Sequence, residues 1–142
     1  MATLITPEQL AKSGTEHSEQ TALFCWASIN AQHDERLRYM FAIPNGGLRN
    51  KVTASRLKAE GAKSGVLDIL LPVPKVSKFP PFEILYCGFF IEMKKSGLEN
   101  HKNGGLSDEQ VKWKGWLESQ KYFAEVHYSW LTAARSIVNY LA

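Results

Sequence analysis

Asp68, Glu92 and Lys94 are the residues of this 142-residue chain whose types and spacing could do chemistry together. Side chains two apart in an extended strand share a face, so Glu92 and Lys94 project together while Met93 points the opposite way into packing. Asp68 is the other awkward residue, a charged side chain among Val66, Leu67, Ile69, Leu70 and Leu71, in what reads as the middle of the preceding strand. Carboxylates are rarely left in such apolar runs unless a cation or hydrogen-bond donors compensate them. Two carboxylates from neighbouring strands supply oxygen ligands of the kind that Mg²⁺ or Mn²⁺ favours. Such an ion helps to activate water and neutralises charge developing on a phosphate. Lys94 would then position or deprotonate that water, or stabilise pentavalent phosphorus. A plain ion pair at a strand end accounts for the same three residues.

The elements that must position them follow from caps and periodicity. Thr6-Pro7-Glu8-Gln9 has the form of a helix start, and Gly14 ends that short helix. From Glu16 to about Asn30, Leu23, Phe24, Ala27 and Ala31 recur at helical spacing with Trp26 beside them, and Glu16 and Gln20 extend the stripe toward the interior. Residues 38–43 read as a short strand ended by the turn Pro44-Asn45-Gly46-Gly47. A helix then starts after Asn50 and stops at Gly61. Residues 67–71 form a compact strand closed by Pro72, and residues 73–81 a loop without chemistry. Residues 83–93 are the longest strand candidate, apolar on both faces and therefore central. Ser107-Asp108-Glu109-Gln110 opens a helix through about Ser119, with Gln110, Trp113 and Leu117 on one stripe. A last strand covers residues 122–128, and Ala134, Ile137, Val138 and Leu141 give a last helix its apolar face. This order predicts an α/β domain with a central mixed sheet flanked by helices.

Hydrophobic residues make up 44% of the chain and charged residues 22%, enough for one core and too little length for two ordinary domains. A single domain over residues 1–142, its core from about residue 16, is expected. No apolar run approaches bilayer length, and Met1 to Pro7 carry no charged leader before an apolar core, so a cytoplasmic protein without a membrane partner is expected. Cys25 and Cys87 sit in apolar runs and read as buried, reduced thiols, and the four histidines never fall at zinc-ligand spacings. The net charge of +3 is modest, but residues 49–63 hold Arg49, Lys51, Arg56, Lys58 and Lys63 against the single acid Glu60. That segment fits a solvated helix face as well as it fits phosphate contact.

Five segments together say more than the bare triad. They are Glu16-His17-Ser18-Glu19-Gln20; Ile43-Pro44-Asn45-Gly46-Gly47-Leu48-Arg49; the run from Gly61 to Pro72 that contains Asp68; Ile91-Glu92-Met93-Lys94; and Leu106-Ser107-Asp108-Glu109-Gln110-Val111-Lys112-Trp113. With them the chain resembles the VRR-Nuc family, a branch of the PD-(D/E)xK nuclease superfamily that includes stand-alone phage and bacterial proteins. The likeness spans most of the chain from Glu16 to Leu141. One departure is Leu67, where the superfamily carries a proline before the aspartate. That proline shapes the strand and supplies no ligand.

The resemblance implies a restriction-endonuclease-like fold and a role for each matching residue. Asp68 and Glu92 would be metal ligands with the Met93 backbone carbonyl as a third, for Mg²⁺ or Mn²⁺. Lys94 would be the catalytic lysine, and Gln110 would reach toward the site from its helix. A helix-one glutamate would complete the set, either Glu16, which fits the family spacing to Gln20, or Glu19. Gln110 also sits where a capping box needs it. Asn45 and Arg49 lie on a turn that faces nucleic acid in the family, or serve turn geometry and surface charge alone. Lys63 is either solvated or a phosphate contact, and Trp113 and Trp116 are assigned to packing. The implied activity is metal-dependent endonucleolytic cleavage of DNA, selective for branched forms such as Holliday junctions and carried out by a homodimer. The alternatives are a non-catalytic DNA-binding domain that keeps the fold, and a flap-type nuclease. A phosphohydrolase for small molecules lacks any P-loop to support it.

Overall fold

The structure, a computed structural model, describes residues 4–44 and 51–142. Side-chain caps start most of its helices. In α1 (Pro7–Leu10) the Thr6 hydroxyl accepts the Gln9 N–H at 3.2 Å, and the Gln9 amide oxygen accepts the Thr6 N–H at 2.8 Å. After a 3-10 turn, Gly14 reverses the chain at φ +68°, a conformation glycine adopts without steric cost. Thr15 caps α2 (Glu16–Asn30), accepting the Ser18 N–H at 3.1 Å. The remaining helices are α3 (Lys51–Ala59), α4 (Asp108–Ser119) and α5 (Trp130–Leu141), the last two capped by Ser107 and Ser129.

Among the described residues six strands form two sheets: β1 (Phe41–Ala42), β2 (Ile69–Leu71), β3 (Lys75–Val76), β4 (Ile84–Tyr86), β5 (Phe89–Met93) and β6 (Phe123–His127). The main sheet runs β1-β2-β5-β6, antiparallel across its first two junctions and parallel between β5 and β6, so it is mixed as expected. All five residues of β5 are buried, which makes it the central strand. On one face Phe89, Ile91 and Met93 join Leu23, Ala27, Ile137 and Tyr140 of α2 and α5 in the larger core. On the other face Phe90 packs with Leu67, Ala124 and Leu117 of α4 in a smaller one. Among the described residues no helix is long and apolar enough to cross a membrane.

Several boundaries differ from the sequence reading. Residues 38–43 supply only the two-residue β1, because a 3-10 turn over Glu35–Tyr39, capped by the Asp34 carboxylate on the Arg36 N–H, takes the preceding residues. Residues 83–93 are not one strand. The chain leaves the small sheet after Tyr86 and enters the main one at Phe89, with the Cys87 N–H bound to the Lys121 carbonyl at 2.6 Å between them. Residues 73–81 are not all loop, since Lys75 and Val76 pair with β4. The apolar face of α5 is carried by Ala133, Ala134, Ile137 and Tyr140, while Val138 is exposed. Cys87 is exposed and Cys25 half-buried, and both thiols are free. The Asn50 cap and the turn at residues 45–47 lie outside the described residues.

One close approach fixes the loop before β2 against α4. Gly65 has φ +84°, and a Cβ built there would stand 2.5 Å from the Glu109 Cβ and 2.7 Å from the Glu109 carbonyl carbon. Two residues later Leu67 is fully buried, and beside the glycine the Ser64 carbonyl accepts the Trp113 indole N–H at 3.1 Å. Gly65→Ala combines left-handed strain with a backbone clash, so we expect it to destabilise the fold by about 1–3 kcal/mol. Gly115→Ala, in the open middle of α4, should be neutral or stabilising by up to about 1 kcal/mol. Urea midpoints of both variants check this, and an unshifted midpoint for Gly65→Ala would refute the packing argument.

Candidate active site

The antiparallel register of β2 and β5 pairs Ile69 with Ile91, which sets Asp68 and Glu92 across from each other at one end of the sheet. Asp68 is not in the middle of its strand. It precedes β2 by one residue, where its carbonyl still accepts the Ile43 N–H at 2.7 Å. The two acids are tied through each other's strands. The Met93 N–H donates to Asp68 Oδ2 at 2.9 Å, and the Asp68 N–H donates to Glu92 Oε2 at 3.2 Å. Each carboxylate thus receives a fixed backbone donor, and the strands cannot shift register without losing both.

Glu92 is 1% exposed, and its other oxygen carries two side-chain partners. Gln110 Nε2 donates to Glu92 Oε1 at 2.6 Å, and Lys94 Nζ lies 3.4 Å from the same atom. Gln110 also closes the capping box of α4, its amide oxygen accepting the Ser107 N–H at 2.9 Å. An amide has an acceptor at one end and donors at the other, so the cap and the contact to Glu92 coexist in one side chain. Lys94 shares the face of Glu92, and its own N–H is bound to the His127 carbonyl at the end of β6 at 2.9 Å.

Helix α2 brings the third carboxylate. Oxygens of Glu16, Asp68 and Glu92 all lie within 4.8 Å of one another. Glu19 is not part of this group. It is the buried acid of the pair, and its Oε2 accepts the Trp130 N–H at 2.7 Å, a carboxylate on the N-terminus of α5 where backbone donors and the helix dipole favour negative charge. Glu16 is exposed rather than directed into the core, and a cavity of about 550 Å³ opens beside it, lined also by His17, Gln20, Thr21 and Phe24.

Three clustered carboxylates against one lysine leave an excess of negative charge, and the protonation equilibria register it. Burial pushes the Glu92 carboxyl up to about 8, with the Asp68 and Glu16 carboxylates adding to the rise and Lys94 opposing it. Burial likewise raises Asp68 against the pull of the Met93 N–H and the Lys94 ammonium. Glu16 is raised by desolvation first and by Asp68 second. A divalent cation among these oxygens relieves that repulsion, and an all-oxygen donor set suits Mg²⁺ or Mn²⁺. The residues therefore fit such an ion, with Glu16, Asp68 and Glu92 as the side chains that would hold it.

Other expected residues stand apart from this group. Met93 is fully buried, and its N–H is the atom seen at the site. Lys63 is exposed on the segment leading to Asp68, while Asn45 and Arg49 lie outside the described residues. Trp113 packs as expected against the smaller core, but Trp116 is 61% exposed and does not. The sequence reading overlooked His127, whose ring bridges Thr132 Oγ1 at 2.9 Å and Glu125 Oε1 at 3.0 Å, with Ser136 donating to the same Glu125 oxygen. This network fastens β6 to α5 beside the Lys94 backbone. The alternation Glu125-x-His127 within a strand was its only trace in the sequence.

Neither a family profile nor a curated protein matches the chain. Among solved structures, one described as a VRR_NUC domain protein is similar, with a TM-score of 0.66 at 22% identity over 89% of this chain and 88% of that one. A likeness at that identity shows the fold, which is the restriction-endonuclease-like arrangement that the sequence resemblance implied.

The raised carboxyls carry a signed consequence for stability. Without metal, their contribution is complete below the ordinary glutamate value of 4.5 and is lost as pH rises through the folded value of about 8 for Glu92. Added Mn²⁺ or Mg²⁺ competes with those protons, so the metal-induced rise in Tm should be larger at about pH 8.5 than at about pH 5.5. Thermal melts with EDTA or metal at both values test this. The absence of a metal-dependent shift at either pH would remove the cation from the site.

Proposed function

We propose that this chain is a metal-dependent nuclease that hydrolyses phosphodiester bonds in DNA, with Asp68, Glu92 and Lys94 at its centre. The observation that carries the reading is the cluster itself: three carboxylates within 4.8 Å, with Lys94 Nζ 3.4 Å from Glu92, at a sheet end beside an open cavity. The fold shared with a VRR_NUC domain protein supports it. Mg²⁺ or Mn²⁺, when bound, supplies an activated water and positive charge for the phosphate oxygens. Asp68 and Glu92, each oriented by a backbone N–H of the other's strand, present fixed oxygens that need not reorganise during reaction. The Lys94 ammonium, held beside Glu92, stabilises negative charge as the new bond from water oxygen to phosphorus forms and the bond to the leaving sugar oxygen breaks. Gln110 holds Glu92 in place, Glu16 completes the acidic set, and the Met93 carbonyl is the proposed further ligand. Asn45, Arg49 and Lys63 are proposed to contact DNA.

Asp68→Ala, and Glu92→Gln, which keeps the shape of the buried side chain, should each abolish cleavage of labelled DNA in Mg²⁺ or Mn²⁺ while circular dichroism shows an intact fold. Lys94→Ala should slow cleavage about 100- to 1,000-fold yet bind DNA nearly as well as the parent, since one lysine is a small part of a multi-contact electrostatic interface. Turnover at the parent rate in any of the three would refute the assignment.

The proposed substrate is branched DNA. A four-way junction has approximate two-fold symmetry and needs two related incisions, which a pair of copies provides most simply. The proposed pairing surface is the β3–β4 hairpin, supported by the exposure of Phe79 (77%) and Phe82 (68%) and of Ile84 and Val76 beside them. Sedimentation at micromolar concentration should report a dimer. Phe82→Glu should give a monomer that nicks one strand of the junction and no longer makes paired cuts. A parent protein that sediments as a monomer while cutting both strands in concert would overturn this assembly.

A further inference from the structure

We propose that the shallow cleft formed by Trp113 and Trp116 on α4 receives an unpaired nucleobase of the bound DNA strand, a reading that rests on the nuclease function proposed above. The cleft has a volume of about 220 Å³ and is lined by Glu109, Lys112, Trp113 and Trp116. These positions fall three or four apart and so share one face of the helix. One wall is fixed. Trp113 is half-buried against Leu67, Phe90 and Leu117, and its indole N–H is committed to the Ser64 carbonyl at 3.1 Å. The other wall is free, because Trp116 is 61% exposed, the most exposed of the large apolar side chains on this helix.

Three features favour a nucleobase as the occupant. The first is chemical, since the two tryptophans that line the cleft carry π-systems on which any base stacks without a particular sequence. The second is charge. The exposed ammonium of Lys112 lines the cleft, and exposed Lys63 adjoins Ser64 at the wall, giving two cations against Glu109 for the phosphates on either side of a base. The third is position. Gln110 lies on the same helix, six residues before Trp116, and touches Glu92 at 2.6 Å. Six helical residues rise roughly 9 Å along the axis and turn by a net of roughly 240°, so the cleft lies roughly one and a half turns from Gln110 on a neighbouring, outward face of the same helix. An unpaired base able to enter it occurs at a branch, flap or frayed end and not within a continuous duplex. The cleft would thus help the protein to distinguish branched DNA from linear DNA.

The test uses the full-length protein in metal-free buffer, so that binding is measured without cleavage, by fluorescence anisotropy. One probe is a blunt duplex and the other the same duplex with a short single-stranded overhang. The parent protein should prefer the overhang. Trp116→Leu should weaken overhang binding about 5- to 100-fold while leaving the blunt duplex within about twofold, and Trp116→Phe should retain most of the preference. Overhang affinity unchanged in Trp116→Leu, or equal losses on both probes, would overturn the stacking site and leave the nuclease reading standing. A DNA-free protein that changes from dimer to monomer on Trp116→Leu would also overturn it, by assigning the cleft to a second copy. Parent protein that binds neither probe, in this buffer or with Ca²⁺ added, would refute the nuclease reading, and this proposal with it.

Discussion

A glutamate sealed from solvent in the central strand is the constraint around which this molecule is arranged. Withdrawing a carboxylate from water costs several kcal/mol unless donors and opposite charge replace the lost hydration. Glu92 obtains them from three separate parts of the chain: the Asp68 N–H just before β2, the Gln110 amide at the start of α4, and the ammonium of Lys94 just past the end of β5. Each donor fixes the element that carries it. A shift of one residue between β2 and β5 would turn Glu92 into the apolar layer occupied by Ile91 and Met93, so the need to satisfy this side chain and the pairing of the strands reinforce each other. Among the described residues no buried side-chain nitrogen or oxygen lacks a partner.

The two faces of the sheet are held by different means. Among the described residues the α2 and α5 side has a core of fourteen buried residues, whereas the α4 side has four, of which Leu117 is the one from the helix itself. Apolar burial on that second face is therefore a weaker anchor, and polar and steric contacts take a larger share. These are the Trp113 indole on the Ser64 carbonyl, the close approach of Gly65 to Glu109, and Gln110 on Glu92. The placement of α4 and the geometry of the carboxylates are consequently one problem.

Much of this was legible in the sequence because it is local. The capping boxes at Thr6 and Ser107, the long helix from Glu16, the mixed sheet and the shared face of Glu92 and Lys94 all follow from spacing within a few residues. What escaped was decided by distant partners. Glu16 and Glu19 are three apart, and helical periodicity alone does not separate them, so the choice of Glu16 rests on the family spacing to Gln20. The N-terminus of α5, 111 residues away from Glu19, claims that side chain and leaves Glu16 to the acidic cluster. Apolar continuity across residues 83–93 concealed the passage between sheets at Cys87 and Gly88, because a run of hydrophobic residues does not reveal which sheet each part joins. Helical spacing to Trp113 assigns Trp116 to packing. The smaller core, however, takes only Trp113 and Leu117 from this helix, and Trp116 falls beside them.

That same geometry couples the acidic cluster to the outer surface of α4. Oε1 of Glu92 carries both the Gln110 amide and the Lys94 ammonium, whereas Oε2 is bound to a backbone N–H that the strand pairing holds in place. A change of charge at this carboxylate, by protonation or by a cation, is therefore felt first by the two side chains free to respond. Gln110 cannot move away from Glu92 without also loosening its bond to the Ser107 N–H and opening the first turn of α4. The next turn of that helix holds Trp113, which is pinned to the segment leading directly into Asp68. Glu92, the helix start, the indole and the aspartate thus form a closed loop of contacts. A change of charge at the acidic cluster and a displacement of α4 consequently act on one set of bonds.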